Sequence, residues 1–369
     1  MADPSIDLHL NYLPDLPRRR DFRIGVIGSG FIVRDCHLVA YHQAGFKVVG
    51  IASRTPEHAR SVAVQHAIPE VYGDYRELLE NEQVEVVDIA VPPDKQMGVI
   101  RDVVMHNDHV RGILAQKPLA MDYHDARQIV ELCESAGIKL AVNQNMRYDQ
   151  SVRALKDILT RGYLGDPVLG TIEMRAIPHW MPWSEGLTSL STYIMSIHHL
   201  DTFRYWFGDP ARVLASTRPD PRTKFPHTDG INLYILEYDS GCRAAAWDDV
   251  WTGPAREGSE SDIYIHWRVE GTDGLARGTI GWPSYPARTP STLDFTTTQQ
   301  PGYWFQPRWK EVWFPDAFVG TMAQLLCAIE DDTEPEISGG DNLKTIALVE
   351  SVYRSAREHR MVSPKEIAS

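Results

Sequence analysis

Lys117 is the first candidate for acid–base chemistry in this chain. It lies in the sequence Gln116-Lys117-Pro118, directly after the apolar run Val110–Ala115. Such a run predicts a strand, and open parallel sheets bind their ligands where the strands end. A lysine at that place can hold a reacting oxygen, and burial lowers its pKa towards the range useful for proton transfer. The alternative interpretation is a solvated surface charge, which is the usual fate of a lone lysine.

A second group of candidates lies in Thr192–Trp206, a segment with helical spacing and few charges. His198 and Asp201 are three residues apart and share a helix face, so they can serve as a proton acceptor and an anchor for a substrate hydroxyl. His199 lies about 100° around the helix and is a further substrate-binding candidate with a different direction. The alternative is a buried His–Asp hydrogen bond that only fixes the helix. No additional ligand at metal-binding spacing accompanies them, so we predict no metal site.

A glycine turn comes first among the elements that must position these residues. Gly28 and Gly30 end the β-branched run Arg23–Gly28 and precede a helix that includes Phe31 and Ile32. Glycines at such a turn permit a tight bend and close approach of the backbone to a pyrophosphate at the helix N-terminus. Val33 replaces the third glycine of the full fingerprint. Two glycines alone also fit an ordinary strand–helix turn.

The residues after the second strand bear on the choice of dinucleotide. That strand ends about 20 residues after the glycines, as the fingerprint requires. An acidic residue at this place binds the ribose 2′-hydroxyl of NAD, but this chain has Ser53 and Arg54. A hydroxyl and a guanidinium suit a 2′-phosphate, so NADP is preferred and NAD is possible. Alternatively, Arg54 stacks on the adenine or only faces solvent.

The sequence pattern of the first half of the chain predicts a parallel α/β domain. Short apolar runs alternate with helix-like segments such as Tyr75–Glu82 and Tyr123–Ser135, the order typical of βαβ units. The runs are Arg23–Gly28, Lys47–Ala52, Val84–Val91, Val110–Ala115 and Ile138–Val142. We predict a lead-in segment over residues 1–21 and a dinucleotide-binding Rossmann domain over residues 22–145.

The second half has a different pattern. Strand-like segments follow one another with Gly- and Asp-rich turns and without crossover helices, which favours an antiparallel sheet. These segments are Val168–Ala176, Ile231–Tyr238, Cys242–Val250, Ile263–Glu270 and Gly274–Ile280. Two predicted helices, Asp316–Glu330 and Asn342–His359, close the chain. We predict a second α/β domain over residues 146–369, whose last helices can pack back on the first domain.

Composition excludes several classes of function. The net charge of −13 repels a polyanion, so we expect no nucleic-acid partner. No apolar stretch approaches the ~18 residues that span a bilayer, so we expect no membrane insertion. The four cysteines are scattered and the start of the chain lacks the apolar core of a secretory signal. Both features favour the cytoplasm.

Several short motifs together resemble the Gfo/Idh/MocA family of NAD(P)-dependent oxidoreductases, over about Arg23 to Val362. In order along the chain, the motifs are Ala90-Val91-Pro92-Pro93-Asp94, Gln116-Lys117-Pro118-Leu119-Ala120, Asn143-Gln144-Asn145-Met146-Arg147-Tyr148, His198-His199-Leu200-Asp201 and Glu334-Pro335-Glu336-Ile337-Ser338-Gly339. The resemblance implies a Rossmann domain and a C-terminal domain with a large open, mostly antiparallel sheet. It also implies oxidation of sugar or polyol hydroxyls and a homo-oligomer, a dimer or a tetramer.

The resemblance implies that Lys117 and His198 are catalytic, although the surrounding pattern departs from that of the family. Gln116 replaces the glutamate of the Glu-Lys-Pro signature. The family's aspartate, four residues before the histidine, is here Ile194, so we expect His198 to act as a neutral base. Asp94 and Gln96 likewise stand at the family's Asn and His places.

Further site residues also follow from the resemblance. Pro92, Gln116 and Asn145 match positions near the cofactor, and Arg147 matches a position near the substrate. Trp180 precedes the histidine helix, where an indole can stack on the apolar face of a sugar ring.

The sequence thus predicts an enzyme that transfers a hydride from a sugar, polyol or sugar derivative to NAD(P). Two alternatives remain open. One is a redox-neutral glycosidase or lyase that keeps its cofactor and returns the hydride in each turnover. The other is a non-enzymatic NAD(P)-sensing protein, which the presence of Lys117 disfavours.

Overall fold

The computed structural model describes residues 6–106, 108–176, 187–189, 191–222, 226–251, 262–281 and 287–369. The chain divides into two compact units. Pro14–Tyr148 with Phe314–Leu343 form one, called here the parallel-sheet unit. Met1–Leu13, Asp149–Trp313 and Lys344–Ser369 form the other, called here the mixed-sheet unit.

The parallel-sheet unit contains six parallel strands in the order β3-β2-β1-β4-β5-β6, the arrangement predicted for a Rossmann domain. The strands are β1 (Arg23–Ile27), β2 (Lys47–Ala52), β3 (Glu70–Tyr72), β4 (Val86–Ile89), β5 (Gly112–Ala115) and β6 (Lys139–Val142). All four residues of β4 are buried, as expected for a central strand that is covered on both faces.

Helices separate these strands, as the βαβ pattern predicted. They are α1 (Leu38–Ala44), α2 (Pro56–His66), α3 (Tyr75–Leu79), α4 (Pro93–His106) and α5 (Tyr123–Ser135). A π-helical turn, Val33–His37, leads into α1, and a 3₁₀ turn, Asn145–Tyr148, follows β6. The amphipathic spacing of α5 buries Ala126, Ile129, Val130 and Cys133.

A helix from far along the chain completes the parallel-sheet unit. This helix, α8 (Phe318–Asp331), packs on β5 and β6. Gly112 of β5 provides the room, because a Cβ there would lie 2.6 Å from Cδ1 of Ile329. Burial of Phe318, Leu325 and other apolar residues of the helix therefore draws Phe314–Leu343 into this unit.

The mixed-sheet unit contains a seven-stranded sheet in the order β13-β12-β11-β7-β10-β9-β8. Only the β7–β10 pair is parallel, which confirms a mostly antiparallel second sheet. Its strands are β7 (Pro167–Arg175), β8 (Arg212–Arg218), β9 (Ile231–Glu237), β10 (Arg243–Asp249), β11 (Tyr264–Gly271), β12 (Gly274–Thr279) and β13 (Thr292–Thr297). The α/β fold class is confirmed.

Helices cover one face of the mixed sheet. They include α6 (Gln150–Thr160) and α7 (Ile197–Phe207), and a π-helical turn, Thr192–Ser196, precedes α7. The chain closes with α9 (Gly339–Glu358) and α10 (Lys365–Ala368). The strands alternate buried and solvent-facing residues, so the other face of the sheet is open in the single chain. Across the described residues, no helix combines the length and apolarity needed to cross a bilayer.

Candidate active site

The glycine turn lies where β1 ends. Gly28 has φ +118°, and a Cβ there would lie 2.4 Å from the carbonyl oxygen of Ala90, so only glycine fits. A Cβ on Gly30 would meet nothing within 4 Å, which leaves open space in front of the turn. Phe31 and Ile32 follow in the first helical turn and are half-buried. The cradle has the form that a dinucleotide pyrophosphate requires.

Val33 occupies the place of the missing third glycine, and its side chain is fully buried. Val33 begins the π-helical turn that precedes α1, so a buried side chain stands there in place of the glycine of the full fingerprint. Beside the turn, Ser29 Oγ donates to Ser53 Oγ at 2.9 Å. The ends of β1 and β2 are therefore joined where the fingerprint places the adenosine ribose.

Arg54 follows Ser53 directly and faces the solvent. The residue is exposed, and its guanidinium makes no hydrogen bond or ion pair within the described residues. Ser53, by contrast, is half-buried, and its Oγ also accepts from the backbone N–H of Thr55 at 3.3 Å. An exposed guanidinium next to a hydroxyl is available to a phosphate group.

Polar groups collect at the carboxyl ends of β5 and β6. Buried side-chain atoms of Gln116, Asn143 and Gln144 have no hydrogen-bond partner among the described residues. Buried polar atoms are ordinarily paired, so these point to a polar ligand or to water. Pro92 is half-buried after β4, and Asn145 is buried in the 3₁₀ turn. The residues of this edge, like the glycine turn, fit a nicotinamide dinucleotide.

Lys117 lies at the same edge, directly after β5. The residue is half-buried, and its backbone N–H donates to Oε1 of Gln116 at 3.1 Å. Burial lowers the pKa of the Lys117 ammonium to about 7. A lysine with that pKa can accept or donate a proton near neutral pH, which a solvated lysine cannot do efficiently.

Arg147 is buried in the 3₁₀ turn and bonds to the protein itself. Its Nη2 lies 2.7 Å from Oδ2 of Asp341, and its Nη1 donates to the carbonyl oxygen of Glu336 at 3.1 Å. These contacts tie the end of β6 to the segment that follows α8. They give Arg147 a structural role, and its role in substrate binding stays a prediction.

A buried hydrogen-bond network, which the sequence analysis did not predict, connects the helix after the glycine turn to the parallel sheet. His37 Nδ1 lies 2.7 Å from Oδ2 of Asp88, and its Nε2 lies 2.9 Å from Nδ2 of Asn143. Tyr41 Oη donates to the same aspartate oxygen at 2.8 Å. The network links the helix after the turn to β4 and to the end of β6. Asp88 in the apolar run Val84–Val91 was the available signal, because an ionisable residue in a buried strand requires partners.

The histidine candidates lie in α7 of the mixed-sheet unit. His198 is buried, and its ring packs edge-on against Trp313 at 5.8 Å between centroids. His199 is also buried, and its Nδ1 lies 2.9 Å from Oδ1 of Asp248 in β10. As the spacing predicted, the two adjacent rings have different surroundings. The partner of His199 comes from the sheet rather than from its own helix.

Asp248 also accepts a hydrogen bond from Oγ of Ser196. Asp248 was not among the predicted site residues, although the sequence of β10 carries a signal for it. Along β10, Ala244 and Ala246 are buried in alternation, and Asp248 continues the same phase. An acidic residue in a buried phase of a strand predicts a partner across the packing interface.

Asp201, the remaining candidate on α7, is buried, and its Oδ1 accepts from Oγ1 of Thr345 at 2.8 Å. Its role in anchoring a substrate hydroxyl stays a prediction. Trp180 lies outside the described residues. Within the described part of the chain, no group of three His, Cys, Asp or Glu side chains has the arrangement of a metal site.

Comparison with known proteins places this geometry in a family. Residues 22–144 match the family model described as an oxidoreductase family with an NAD-binding Rossmann fold, Gfo/Idh/MocA. Residues 152–277 match the Gfo/Idh/MocA C-terminal domain. Together the two matches extend over most of the chain and confirm the resemblance on which the assignment of Lys117 rests.

Individual relatives agree with this. A D-apiose dehydrogenase of Paraburkholderia graminis is 28% identical over 94% of this chain and 90% of its own length. A 1,5-anhydro-D-fructose reductase of Ensifer adhaerens is 24% identical over 90% of this chain and 96% of its own. An oxidoreductase from Agrobacterium radiobacter, solved with NAD⁺, L-tartaric acid and magnesium, has a TM-score of 0.79 at 24% identity, covering 94% of this chain and 99% of that one. The chain therefore belongs to the Gfo/Idh/MocA family of oxidoreductases.

Proposed function

We propose that the protein oxidises a hydroxyl of a sugar, polyol or sugar derivative and uses NADP in preference to NAD. The observation that carries the proposal is the shared edge of the parallel sheet. The glycine turn for the pyrophosphate and the half-buried Lys117 both lie at the carboxyl ends of its strands.

Bound at the turn of Gly28 and Gly30, a nicotinamide dinucleotide would supply the acceptor for the hydride of the carbon that bears the hydroxyl. Lys117 holds the hydroxyl oxygen and polarises it as the C–O bond gains double-bond character. With a pKa of about 7, its neutral amine can take up the hydroxyl proton near neutral pH. His198 is the second proposed proton acceptor, and we assign the anchoring of other substrate groups to His199, Asp201, Arg147 and Trp180.

The substrate class rests on the relatives. Proteins similar to this chain are named for D-apiose and 1,5-anhydro-D-fructose, both compounds of the sugar class. The decisive test is a panel of pentoses, hexoses, polyols and anhydrosugars with NAD and with NADP, with reduced cofactor followed by absorbance. Cofactor reduction by a free sugar supports a dehydrogenase. Cleavage of a glycoside with no net reduction would instead support the redox-neutral alternative, and tight binding of NADP without turnover would support a sensor.

The preference for NADP makes Arg54 the residue to test. Replacement by alanine should weaken NADP binding by roughly 1.5–3 kcal/mol, because a charge-assisted bond to the 2′-phosphate is lost, and should leave NAD nearly unchanged. Calorimetric titration of both cofactors measures the difference. Arg60→Ala, on the exposed side of α2, is the matched control. Equal losses for NADP and NAD would indicate adenine stacking, and a wild-type protein that binds NAD more tightly would overturn the preference.

We also propose that the protein is a homo-oligomer that uses the open face of the mixed sheet. Leu233 and Ile235 of β9 are 51% and 45% exposed, and Leu214 of β8, directly opposite Ile235, is 39% exposed. Trp247 of β10 lies opposite Leu233. A contiguous apolar patch on a sheet face is typical of a subunit contact.

A charge in that patch should dissociate the oligomer. We expect Leu233→Glu to convert the protein to a monomer in light scattering, because an ionised carboxylate cannot be buried against apolar side chains without a partner. Val64→Glu is the control, since Val64 is 85% exposed on α2. A wild-type monomer, or a Leu233→Glu protein of unchanged mass, would refute this contact.

We assign the protein to the cytoplasm. The support is that Cys36, Cys133, Cys242 and Cys327 are all free thiols. Free buried thiols are typical of proteins that fold in a reducing compartment.

A further inference from the structure

The Gln96 side chain forms hydrogen bonds to the backbone of the turn that carries Lys117. It lies in the first turn of α4, and its side chain is fully buried. Its Nε2 donates to the carbonyl oxygens of Gln116 at 3.0 Å, Pro118 at 2.8 Å and Leu119 at 3.3 Å. Its Oε1 accepts from the backbone N–H of Gln116 at 2.8 Å.

The backbone groups determine which way this amide points. Carbonyl oxygens require a donor and a backbone N–H requires an acceptor, so the reverse orientation would place like groups together at every contact. The two N–H groups of the amide are shared among the three carbonyl oxygens while its oxygen accepts from the N–H, so the side chain must carry donors and an acceptor on one carbon. Among the uncharged side chains of this length, only glutamine does so.

These bonds hold the backbone on both sides of Lys117. The residue before it is bonded at N–H and C=O, and the residue after it is bonded at C=O, by the same amide group. Gln116 adds a bond from its own Oε1 to the N–H of Lys117. The Cα of the lysine is thereby fixed, although four flexible methylenes separate it from the ammonium.

We infer that Gln96 is a positioning residue that sets the place of the Lys117 ammonium by clamping the turn that carries it. The inference rests on the proposed function, because the place of the ammonium matters only if it acts on the substrate oxygen. Reacting groups that are displaced by about 1 Å can lose 10²-fold in rate, so a looser turn should be visible in turnover.

Two substitutions separate the parts of the clamp. Gln96→Met keeps the length of the side chain but removes donor and acceptor. Gln96→Glu keeps the shape and an acceptor for the N–H of Gln116 but loses the donors to three carbonyls. Ile100→Val, which trims a buried side chain one turn further along α4, is the control for a loss of helix packing alone.

The first measurement is steady-state kinetics with the melting temperature recorded for each variant. We expect kcat to fall by roughly 10–100-fold in both Gln96 variants, with KM for the cofactor changed by less than about threefold. Ile100→Val should keep the wild-type kcat. Variants that melt at a lower temperature but turn over normally while folded would overturn the inference, because Gln96 would then only stabilise the turn.

The second measurement does not depend on turnover. The pH dependence of trace acetylation by acetic anhydride, read by mass spectrometry of the peptide that contains Lys117, reports the titration of that amine without cofactor. Exposed Lys95 serves as the internal standard. When the turn no longer holds Lys117 in place, its ammonium becomes more exposed to water. The midpoint of the acetylation titration should therefore rise by roughly half a pH unit or more in Gln96→Met. An unchanged midpoint together with an unchanged kcat would overturn the inference.

The two proposals fail in different ways. If Lys117→Ala retains full activity while the acetylation midpoint moves in Gln96→Met, Gln96 does hold the ammonium in place, but the proposed function of Lys117 fails and the expected loss of kcat fails with it. If Lys117→Ala is inactive while both Gln96 variants match the wild type in kcat and acetylation, Lys117 is catalytic and the positioning role fails.

Discussion

Replacement of Lys117 by alanine is expected to lower kcat by roughly 10²–10⁴-fold, the range for loss of a general acid–base group. The physical reason is that the side chain both polarises the reacting oxygen and takes its proton. Cofactor affinity should change little, since the pyrophosphate cradle at Gly28 belongs to a different turn. Steady-state kinetics and a cofactor titration measure the two effects.

The pH profile of the wild type tests the same residue with a defined sign. Burial lowers the pKa of Lys117 to about 7, so the neutral amine predominates above that pH. In the direction of oxidation the amine is the active form, and kcat/KM should rise as the pH increases through about 7. In the direction of reduction the ammonium is the active form, and the rate should fall over the same interval.

Lys95→Ala provides the matched control, because Lys95 is an exposed lysine of the same unit that pairs only with Asp94 in the described structure. It should keep both the wild-type kcat and the wild-type pH profile. If Lys117→Ala keeps kcat within about threefold of the wild type, or if its kcat/KM still rises with pH near 7, the assignment of the proton acceptor is wrong.

Local patterns predicted the elements of this fold well. The five β-branched runs of the first half became five of the six parallel strands, with boundaries shifted by at most two residues, as in Val84–Val91 and the observed Val86–Ile89. The short β3, Glu70–Tyr72, was not predicted. Tyr123–Ser135 was predicted with its observed bounds. These successes have a common cause, since burial on one or both faces leaves a periodic trace in the sequence.

Associations between distant segments left no such trace. The sequence allows the last helices to pack back on the first domain, but nothing within Phe318–Asp331 identifies it as the helix that completes the parallel-sheet unit. Gly112 of β5 makes room for this helix, but that role is evident only once the close approach to Ile329 is known. Helix existence is a local property, whereas the choice of packing partner depends on the shape of both surfaces.

The candidate site shows the same division. Gly28, Arg54 and Lys117 were predicted as site residues because their chemistry is tied to strand ends, and their roles stay predictions. Gln96 and Asp248 were not assigned roles, because each forms its hydrogen bonds with residues that are remote in sequence. In the sequence, Gln96 is visible only as a departure from a family pattern, and the structure shows that its amide bonds to the turn of Lys117.

The two adjacent histidines of α7 give the second large expected effect. His198→Ala should lower kcat/KM at least tenfold, or roughly 1.4 kcal/mol of transition-state stabilisation, if its imidazole accepts a substrate proton. The residue one helical turn earlier is Ile194, which is apolar and buried, so no carboxylate at that position favours the charged ring. A neutral imidazole is the form that can accept a proton.

His199→Ala should give the opposite combination of effects. Its imidazole pairs with Asp248, and both side chains are fully buried. Its loss leaves a buried carboxylate with one partner fewer, which costs about 1–3 kcal/mol of folding stability. We therefore expect a lower melting temperature and a smaller loss of kcat/KM than in His198→Ala, with both variants assayed well below their melting temperatures.

The order of the two effects decides which histidine is the base. If His199→Ala loses more activity than His198→Ala, the buried pair of His199 and Asp248 supplies the carboxylate-supported imidazole that the helix itself lacks at Ile194. Asp248→Asn should then reproduce the loss, because it removes the carboxylate that orients the imidazole. If neither histidine matters for kcat/KM, Lys117 handles the proton alone, and α7 serves only to pack the mixed sheet.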